Sequence, residues 1–361
     1  MNKSELFAQM PCIIRRAFGM LLGALLLVTC VTFASTLAAA QFSGPTQVVL
    51  QNGWFDAGFT TSHAMVQESN GIVQFRGSIE GGTTGLAFTL PAALSPSTTV
   101  YVPVDMCNAT KGRLIIQSTG AVTVQAETSF TNAQCFTSLD GAQFALNSTG
   151  YTNLTLVNGW TGAPFGTSTP AIRVISGGVH FKGAMSTTGT NPVAFTVPTS
   201  ARPKTDVYIP VDLCNAHNGR LHITTAGVVD VEAEGGTFSN AQCFTSLDGA
   251  WYATTPTGYS GLTLQNGWTN GPFSTSVAAA ANAWGSVYFK GAIATSGTNT
   301  QPFTLGPRFR PNTNVYVNVD LCNATKGRLI IETSGVVIVQ AETSFSNAQC
   351  FTSLDGVSFV Q

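Results

Sequence analysis

The stretch VYVPVDMCNATKGRLIIQSTGAVTVQAE at 100–127 decides the fold of this chain. Apolar and polar residues alternate along three runs, at 99–106, 113–118 and 121–127, and this alternation is the period of a half-buried β-strand. The dipeptide Thr-Gly at 119–120 separates the last two runs and predicts a tight hairpin turn. The stretch therefore predicts antiparallel strands joined by short turns.

The same stretch occurs three times in the chain. It returns as VYIPVDLCNAHNGRLHITTAGVVDVEAE at 207–234 and as VYVNVDLCNATKGRLIIETSGVVIVQAE at 315–342. The period is about 107 residues, which is the length of a complete small domain and too long for one unit of a solenoid. The string NAQCFTSLDG recurs without change, at 132–141, 240–249 and 347–356. Three copies of one domain therefore fill most of the chain.

Further strands are predicted on both sides of the repeated stretch. In the first copy they lie at 48–54, 72–79, 86–91 and 135–146, and Val, Ile, Phe and Thr are frequent in them. No segment after residue 40 shows a sustained helical pattern. About seven short strands per copy favour a two-sheet sandwich. We expect an all-β protein of three tandem antiparallel β-sandwich domains with a jelly-roll-like arrangement.

The first 40 residues resemble an export signal. Arg15 and Arg16 precede an apolar run, and the run ends in the small residues Ala38-Ala39-Ala40, which suit cleavage before Gln41. An uncleaved membrane anchor and a lipid-modified Cys30 are the alternatives. We therefore predict a secreted, extracellular or periplasmic protein without a membrane segment after cleavage, divided into a signal peptide at 1–40 and copies at 41–147, 148–255 and 256–361.

The composition excludes several classes of protein. The 361 residues have a net charge of −1, with 9% charged, 44% hydrophobic and 10% aromatic residues. An intrinsically disordered chain would be less hydrophobic or more highly charged. Nucleic-acid binding is not expected, because no cluster of basic residues is present.

Six cysteines follow the predicted signal peptide, two in each copy. Paired cysteines at a repeated spacing in an exported protein indicate disulfides. Six cysteines allow fifteen pairings in principle, and the repeat favours one bridge within each copy. Zinc is the competing interpretation, but two thiols and no repeated histidine fall short of the usual four ligands. The predicted bridges join Cys107 to Cys135, Cys214 to Cys243 and Cys322 to Cys350.

Three acidic residues recur in every copy. They would suit a carboxylate pair for glycoside hydrolysis or a calcium site. Alternatively, Asp-Gly forms a turn and the other acids cap loops. The histidines are not repeated and no known catalytic string is present, so we expect no catalytic residue, no metal site and no cofactor. The recurring acids are Asp105, Glu127, Asp140, Asp212, Glu234, Asp248, Asp320, Glu342 and Asp355.

Two sets of repeated residues are candidates for ligand binding. One is the tryptophan of Asn-Gly-Trp, which would either stack on a sugar ring or fill the core. The other is the arginine after Lys-Gly or Asn-Gly, which would lie on a solvated hairpin tip or contact an anionic ligand. These candidates are Trp54, Trp160 and Trp268, and Arg113, Arg220 and Arg328.

The order of motifs resembles the knob domains of phage tail and head fibres. In each copy Asn-Gly-Trp is followed by a segment such as GIVQFRG at 71–77, then by FTLP or a related string, a turn with proline, and VYVPV or its equivalent. That family has compact jelly-roll sandwiches, similar in architecture to C1q and TNF heads. The resemblance implies binding of receptors or glycans through loops, usually by a homotrimer. The paired cysteines and NAQCFTSLDG do not belong to that pattern.

The connectors between copies are short. NSTGYTN at 147–153 and TPTGYSG at 255–261 span at most about 23 Å each, so neighbouring copies must touch or nearly touch. A rod and a closed pseudo-threefold cluster both satisfy this limit.

We expect a non-catalytic, multivalent adhesion or lectin-like protein that binds glycans or cell-surface polysaccharide. A structural matrix or surface-coat protein is the alternative, and a carbohydrate-active enzyme is the third possibility. Binding residues are expected in the loops that differ among the copies, at 55–70, 161–177 and 269–284.

Overall fold

Antiparallel strands dominate the computed structural model, which describes residues 43–175, 177–254 and 257–361. The predicted signal peptide, with Cys30, lies outside the described residues. In the first copy the strands are β1 Ser43–Gln47, β2 Trp54–Asp56, β3 Met65–Ser69, β4 Ile72–Arg76, β5 Ser78–Gly81, β6 Leu86–Thr89, β7 Val100–Asp105, β8 Lys111–Ile116, β9 Ala121–Ala126, β10 Thr137–Ser138 and β11 Gln143–Ala145.

The second and third copies repeat these elements. The second contains β12 Thr152–Asn153, β13 Trp160–Gly162, β14 Ala171–Ile175, β15 Gly178–Lys182, β16 Ala184–Thr187, β17 Val193–Thr196, β18 Val207–Asp212, β19 Asn218–Ile223, β20 Val228–Ala233, β21 Thr245–Ser246 and β22 Trp251–Ala253. The third contains β23 Ser260–Gly261, β24 Trp268–Asn270, β25 Ala279–Ala283, β26 Ser286–Lys290, β27 Ala292–Thr295, β28 Phe303–Thr304, β29 Val315–Asp320, β30 Lys326–Ile331, β31 Val336–Ala341, β32 Thr352–Ser353 and β33 Ser358–Val360.

Short helices interrupt the strands. The α-helices are α1 Phe130–Cys135, α2 Phe238–Cys243 and α3 Phe345–Cys350. The 3₁₀ turns are Ala92–Leu94, Cys107–Ala109, Pro164–Gly166, Thr199–Ala201, Cys214–Ala216, Glu234–Gly236, Pro272–Ser274, Pro307–Phe309 and Cys322–Ala324.

Each copy is an antiparallel β-sandwich, as the alternation of apolar residues predicted. In the first copy the strand orders are β1-β3-β4-β11 and β6-β9-β8-β7, and β10-β5-β2 form a small third sheet. Phe75 and Phe144 from the first sheet share one buried cluster with Leu114, Ile116 and Val122 from the second. The second and third copies have equivalent clusters.

Some local predictions were right and others were wrong. The hairpin between β8 and β9 is present, with Gly120 at φ 87°. The predicted strand at 48–54 is wrong, because before Trp54 this segment has only an isolated bridge between Leu50 and Phe88. The strand β3 was not predicted, because its sequence MVQES is short and largely polar.

The three cysteine pairs are confirmed. Cys107 and Cys135 form a disulfide with Cα atoms 5.7 Å apart, and the equivalent pairs are Cys214–Cys243 and Cys322–Cys350. The strand predicted at 135–146 is wrong at its start, since Cys135 ends α1. A helix of six residues is too short to produce a visible helical stripe in the sequence.

The Asp-Gly pair of NAQCFTSLDG forms a turn, which was one of the two sequence-based alternatives. Gly141 has φ 78°, and Asp140 Oδ1 accepts a hydrogen bond of 2.8 Å from the backbone N–H of Gly77. Burial raises the pKa of Asp140 to about 7. The backbone N–H donors favour the charged form and act in the opposite direction. The acid therefore holds a turn inside the fold.

The repeated motif also crosses from one copy to another. Ser138 Oγ donates to the carbonyl of Tyr316 at 2.6 Å, and the equivalent bonds run from Ser246 to Tyr101 and from Ser353 to Tyr208. The strands β7, β18 and β29 pack against one another. The described parts of the three copies belong to one compact unit.

Candidate functional site: the clefts where copies meet

The sequence offered solvated hairpin tips as one place for the repeated arginines. The structure shows that they do not lie there. Arg113 is buried, and its Nη1 lies 2.9 Å from Asp212 Oδ2 of the second copy. Lys111 Nζ lies 3.1 Å from the other oxygen of the same carboxylate. The segment Lys111–Arg113 begins β8, and Gly112 between the two basic residues leaves space for Met106.

Equivalent ion pairs join the other copies. Arg220 of the second copy lies 3.1 Å from Asp320 of the third, and Arg328 of the third lies 3.0 Å from Asp105 of the first. Lys326 also pairs with Asp105. Asp105, Asp212 and Asp320 therefore bind side chains of another copy and do not cap loops. The contacts run from the first copy to the second, from the second to the third, and from the third to the first.

The repeated tryptophans are core residues. Trp54 is buried, its Nε1 donates to the carbonyl of Thr84 at 2.8 Å, and its ring meets Phe130 edge-on. Trp160 and Trp268 are buried in the same way, with Nε1 bonded to the carbonyls of Asn191 and Asn299. A ring enclosed in this way offers no free face to a sugar, so the structure does not support the stacking interpretation.

Each boundary instead carries a cluster of aromatic residues, which lines a cleft at the first and second boundaries. At the first boundary Tyr101 and Phe244 meet edge-on at 4.8 Å, and the guanidinium of Arg113 lies 4.8 Å from the Tyr101 ring centre. Phe165 packs 5.7 Å from Phe244 and completes a cleft of about 100 Å³, with Asn215 on its wall. The two copies therefore build this surface together.

The phenylalanine of the cleft is exposed and has an unusual backbone conformation. Phe165 is 64% exposed and has φ 54°, and Phe273 is 58% exposed and has φ 53°. Left-handed backbone is unfavourable for a bulky side chain, and such strain is concentrated at functional sites. In the first copy the equivalent Phe59 is 47% exposed, and the positive φ falls on Thr60 instead.

The other two boundaries repeat this arrangement. Tyr208, Arg220, Phe273, Asn323 and Phe351 line a cleft of about 150 Å³ at the second boundary. At the third, Phe136 lies 4.9 Å from Tyr316 and 5.0 Å from Phe59, and Arg328 lies 5.1 Å from the Tyr316 ring centre.

Backbone hydrogen bonds hold each phenylalanine loop on the neighbouring copy. The N–H of Thr99 donates to the carbonyl of Gly166, that of Asp206 to Ser274, and that of Asn314 to Thr60. These loops lie in the variable segments 55–70, 161–177 and 269–284, where binding residues were expected. The exposed phenylalanines themselves were missed, although Pro-Phe in the second and third copies marked the position.

The second boundary differs in charge from the other two. Asn218 replaces the lysine, and Glu232 replaces the glutamine that Arg113 and Arg328 contact in their own copies. Arg220 therefore binds both Glu232 and Asp320. Burial raises the pKa of Asp320 to about 7, although Arg220 favours its charged form.

The recurring glutamates interact across the boundaries between copies. Glu127 contacts His217 of the second copy. Burial raises the pKa of Glu234 to about 7, and the negative charges of Glu342 and Glu127 act in the same direction. The described residues contain no group of three or more His, Cys, Asp or Glu side chains that would hold a metal ion.

No family model, no curated protein and no solved structure matches this chain. Within the part of the chain that the structure describes, no helix is both long and apolar enough to cross a membrane. The three disulfides fit an oxidising compartment such as the extracellular space.

Proposed function

We propose that this chain is a secreted, non-catalytic, multivalent adhesion protein that binds carbohydrate, and that its three copies act as a trimer within one chain. The observation that carries the proposal is the exposed phenylalanine beside a tyrosine–arginine pair at all three boundaries. Ligand sites commonly combine aromatic walls with a few polar groups. The cyclic order of the ion pairs supports a closed arrangement in preference to a rod.

A sugar ring suits the chemistry of the cleft. The face of Phe165 or Phe273 would pack against the apolar C–H face of a pyranose. Asn215 and Asn323 are exposed beside the clefts and would bond to hydroxyl groups. Because the loop is bonded to the neighbouring copy, little conformational entropy would be lost on binding.

Three weak sites on one chain would act together on a repetitive polysaccharide. Binding at one cleft raises the effective ligand concentration at the others, and avidity then exceeds single-site affinity by about 10² to 10⁴. The export signal predicted at 1–40 and the disulfides support a location where such polysaccharides occur.

A glycan array tests the proposal. We expect the mature protein to bind a subset of glycans, and the triple variant Phe59→Ala, Phe165→Ala, Phe273→Ala to lose binding at least about 100-fold through lost avidity. Its melting temperature should fall only slightly, because about half or more of each of the three phenylalanines is exposed.

Phe55→Ala is the matched control. Phe55 is also an exposed phenylalanine, at 54%, but it lies on β2 and outside the set of cleft residues. Its binding should equal that of the wild type. Absence of any hit at high micromolar protein, or equal loss in the control and the triple variant, would contradict the proposal.

A structural matrix or surface-coat protein is the second candidate. The buried ion pairs between copies favour it, because they suit a rigid particle whatever its ligand. This candidate predicts no glycan binding and no effect of the cleft variants beyond stability. Asp140, Asp248 and Asp355 are buried and accept hydrogen bonds from backbone N–H groups, which supports a structural role for them.

A further inference from the structure

A lysine and an aspartate from different copies face each other in the interior of the third boundary. Lys326 begins β30 of the third copy, and its Nζ donates to Oδ1 of Asp105, which ends β7 of the first copy. Both side chains are fully excluded from solvent. Burial removes the hydration that stabilises an ammonium and a carboxylate, so it favours the uncharged forms of both groups.

Lys326 differs in its hydrogen bonds from the equivalent lysine of the first copy. Lys111 Nζ donates to three oxygens, one on Asp212 and two on backbone carbonyls, which satisfies every N–H of an ammonium. Within the described residues, Lys326 Nζ has two acceptors, one on Asp105 and one backbone carbonyl. Its third proton can therefore leave without the loss of a hydrogen bond. Burial also lowers the pKa of Lys326, although the charge of Asp105 acts in the opposite direction.

Arg328 holds the other oxygen of the same carboxyl group. Its Nη1 lies 3.0 Å from Asp105 Oδ2 and also donates to the carbonyl of Met106, while Nε and Nη2 donate to Gln340. The guanidinium is thus fixed before any reaction. A fixed cation at this position stabilises the negative charge that develops on Oδ2 when a nucleophile attacks the carboxyl carbon.

A second carboxyl group stands beside the pair. The backbone N–H of Glu342 donates to the carbonyl of Lys326 at 3.0 Å, so the two residues lie opposite each other on neighbouring strands. Burial raises the pKa of Glu342, and the charges of Lys326 and Asp105 both act on it. A carboxyl group with a raised pKa can accept a proton and return it near neutral pH. Glu342 is therefore placed to transfer protons for its neighbours.

We propose that Lys326 and Asp105 form an amide bond that joins the third copy to the first. One proton passes from the ammonium to the carboxylate, and the uncharged Nζ then attacks Cγ of Asp105, with Arg328 stabilising the charge on Oδ2. Glu342 takes a proton from Nζ and returns one to Oδ1. The Cγ–Oδ1 bond breaks, and Oδ1 leaves as water. An amine and a carboxylic acid thus give an amide and one water molecule, with no change of oxidation state.

The other boundaries should not form this bond. At the first, Lys111 is satisfied as an ammonium, and the equivalent glutamate, Glu127, contacts His217. At the second, Asn218 replaces the lysine and offers no amine. One bond per chain is therefore expected, at the boundary that no connector spans. The inference does not depend on carbohydrate binding, because both reacting groups belong to the chain itself.

Mass spectrometry of the full mature chain, reduced and denatured, tests the bond. We expect a mass lower by one water molecule than the mass calculated from the measured N-terminus. A tryptic peptide should join the segments that carry Asp105 and Lys326, and this peptide distinguishes the amide from any other loss of water. Separate peptides for the two segments, or a joined peptide that links Lys111 to Asp212 instead, overturn the proposal.

Three variants assign the roles. Lys326→Met removes the amine and should show no joined peptide. Lys111→Met is the matched control, because it removes a buried lysine from the first boundary, and it should keep the joined peptide. Glu342→Gln cannot transfer the proton, so bond formation should slow by at least about 100-fold. Equal yield and rate of the joined peptide in Glu342→Gln and the wild type would refute the role of the glutamate.

Discussion

Asn218 shows how much a single residue changes at a buried boundary. Lys111 and Lys326 occupy the same position in the other copies, and both are fully buried against an aspartate. Asn218 donates to the carbonyl of Ala324 instead. As a result Asp320 Oδ1 is buried and has no hydrogen-bond partner among the described residues.

Substituting Asn218→Lys should therefore stabilise the protein. The new ammonium group would pair with Asp320 and should raise the free energy of unfolding by about 1–3 kcal/mol, since it satisfies a buried charged acceptor. Urea denaturation measures this change. The reverse substitution, Lys111→Asn, leaves Asp212 with one unpaired oxygen and should destabilise by a similar amount. A stabilising Lys111→Asn would contradict this account.

The buried aspartates of the Asp-Gly turns predict a dependence of stability on pH. Burial raises the pKa of Asp140, Asp248 and Asp355 to about 7, from an ordinary value of 3.8. Between these pH values the folded state binds more protons than the unfolded state, so stability falls as pH rises from about 4 to 7. The slope is at most about 1.4 kcal/mol per carboxyl per pH unit.

Thermal unfolding from pH 4 to pH 8 measures this slope. The triple variant Asp140→Asn, Asp248→Asn, Asp355→Asn keeps an oxygen acceptor for the glycine N–H and cannot ionise. Its melting temperature should vary less with pH than that of the wild type, and should exceed it at pH 8. A wild-type melting temperature that rises from pH 4 to pH 7 would exclude the raised pKa values.

At the scale of elements, the strands were predictable and the contacts between copies were not. Alternating apolar residues and the Thr-Gly turn are local signals, and they placed β7, β8 and β9. The sequence indicates that Asp105 recurs in every copy and Lys111 in the third, but not that the partner of Lys111 belongs to the next copy. Each copy offers the same aspartate, so spacing alone cannot distinguish pairing within a copy from pairing between copies.

The candidate site was predictable only where local sequence signals mark it. The loops that differ among copies indicated where to look, and Phe59, Phe165 and Phe273 lie in them. A tryptophan in a repeated motif could not be assigned to the core or the surface from sequence, because both places accept an aromatic ring.

At the scale of the molecule, the ion pairs join all three copies in a cycle. The connectors at 147–153 and 255–261 join the first copy to the second and the second to the third. No connector joins the third to the first, so apart from the proposed amide that boundary depends on non-covalent contacts. Asp105 is central to it, because both Lys326 and Arg328 bind its carboxylate.

Asp105→Asn should therefore weaken the whole molecule. It leaves two buried cations without a counter-charge, and we expect a loss of about 3–5 kcal/mol in unfolding free energy. Asp320→Asn is the matched comparison, because Arg220 keeps Glu232 as a partner, and its cost should be clearly smaller. Chemical denaturation followed by tryptophan fluorescence measures both. Equal costs in the two variants would contradict this account of the counter-charges.

The cyclic order of contacts has a consequence for symmetry. In an assembly of three identical chains, every substitution appears at all three interfaces at once. Here the same surface is encoded three times, so Asn218 alters one boundary while the other two keep their lysines. Fusion also fixes the stoichiometry and prevents the wrong copies from associating. A single gene can thus hold three different interfaces, each free to acquire its own ligand.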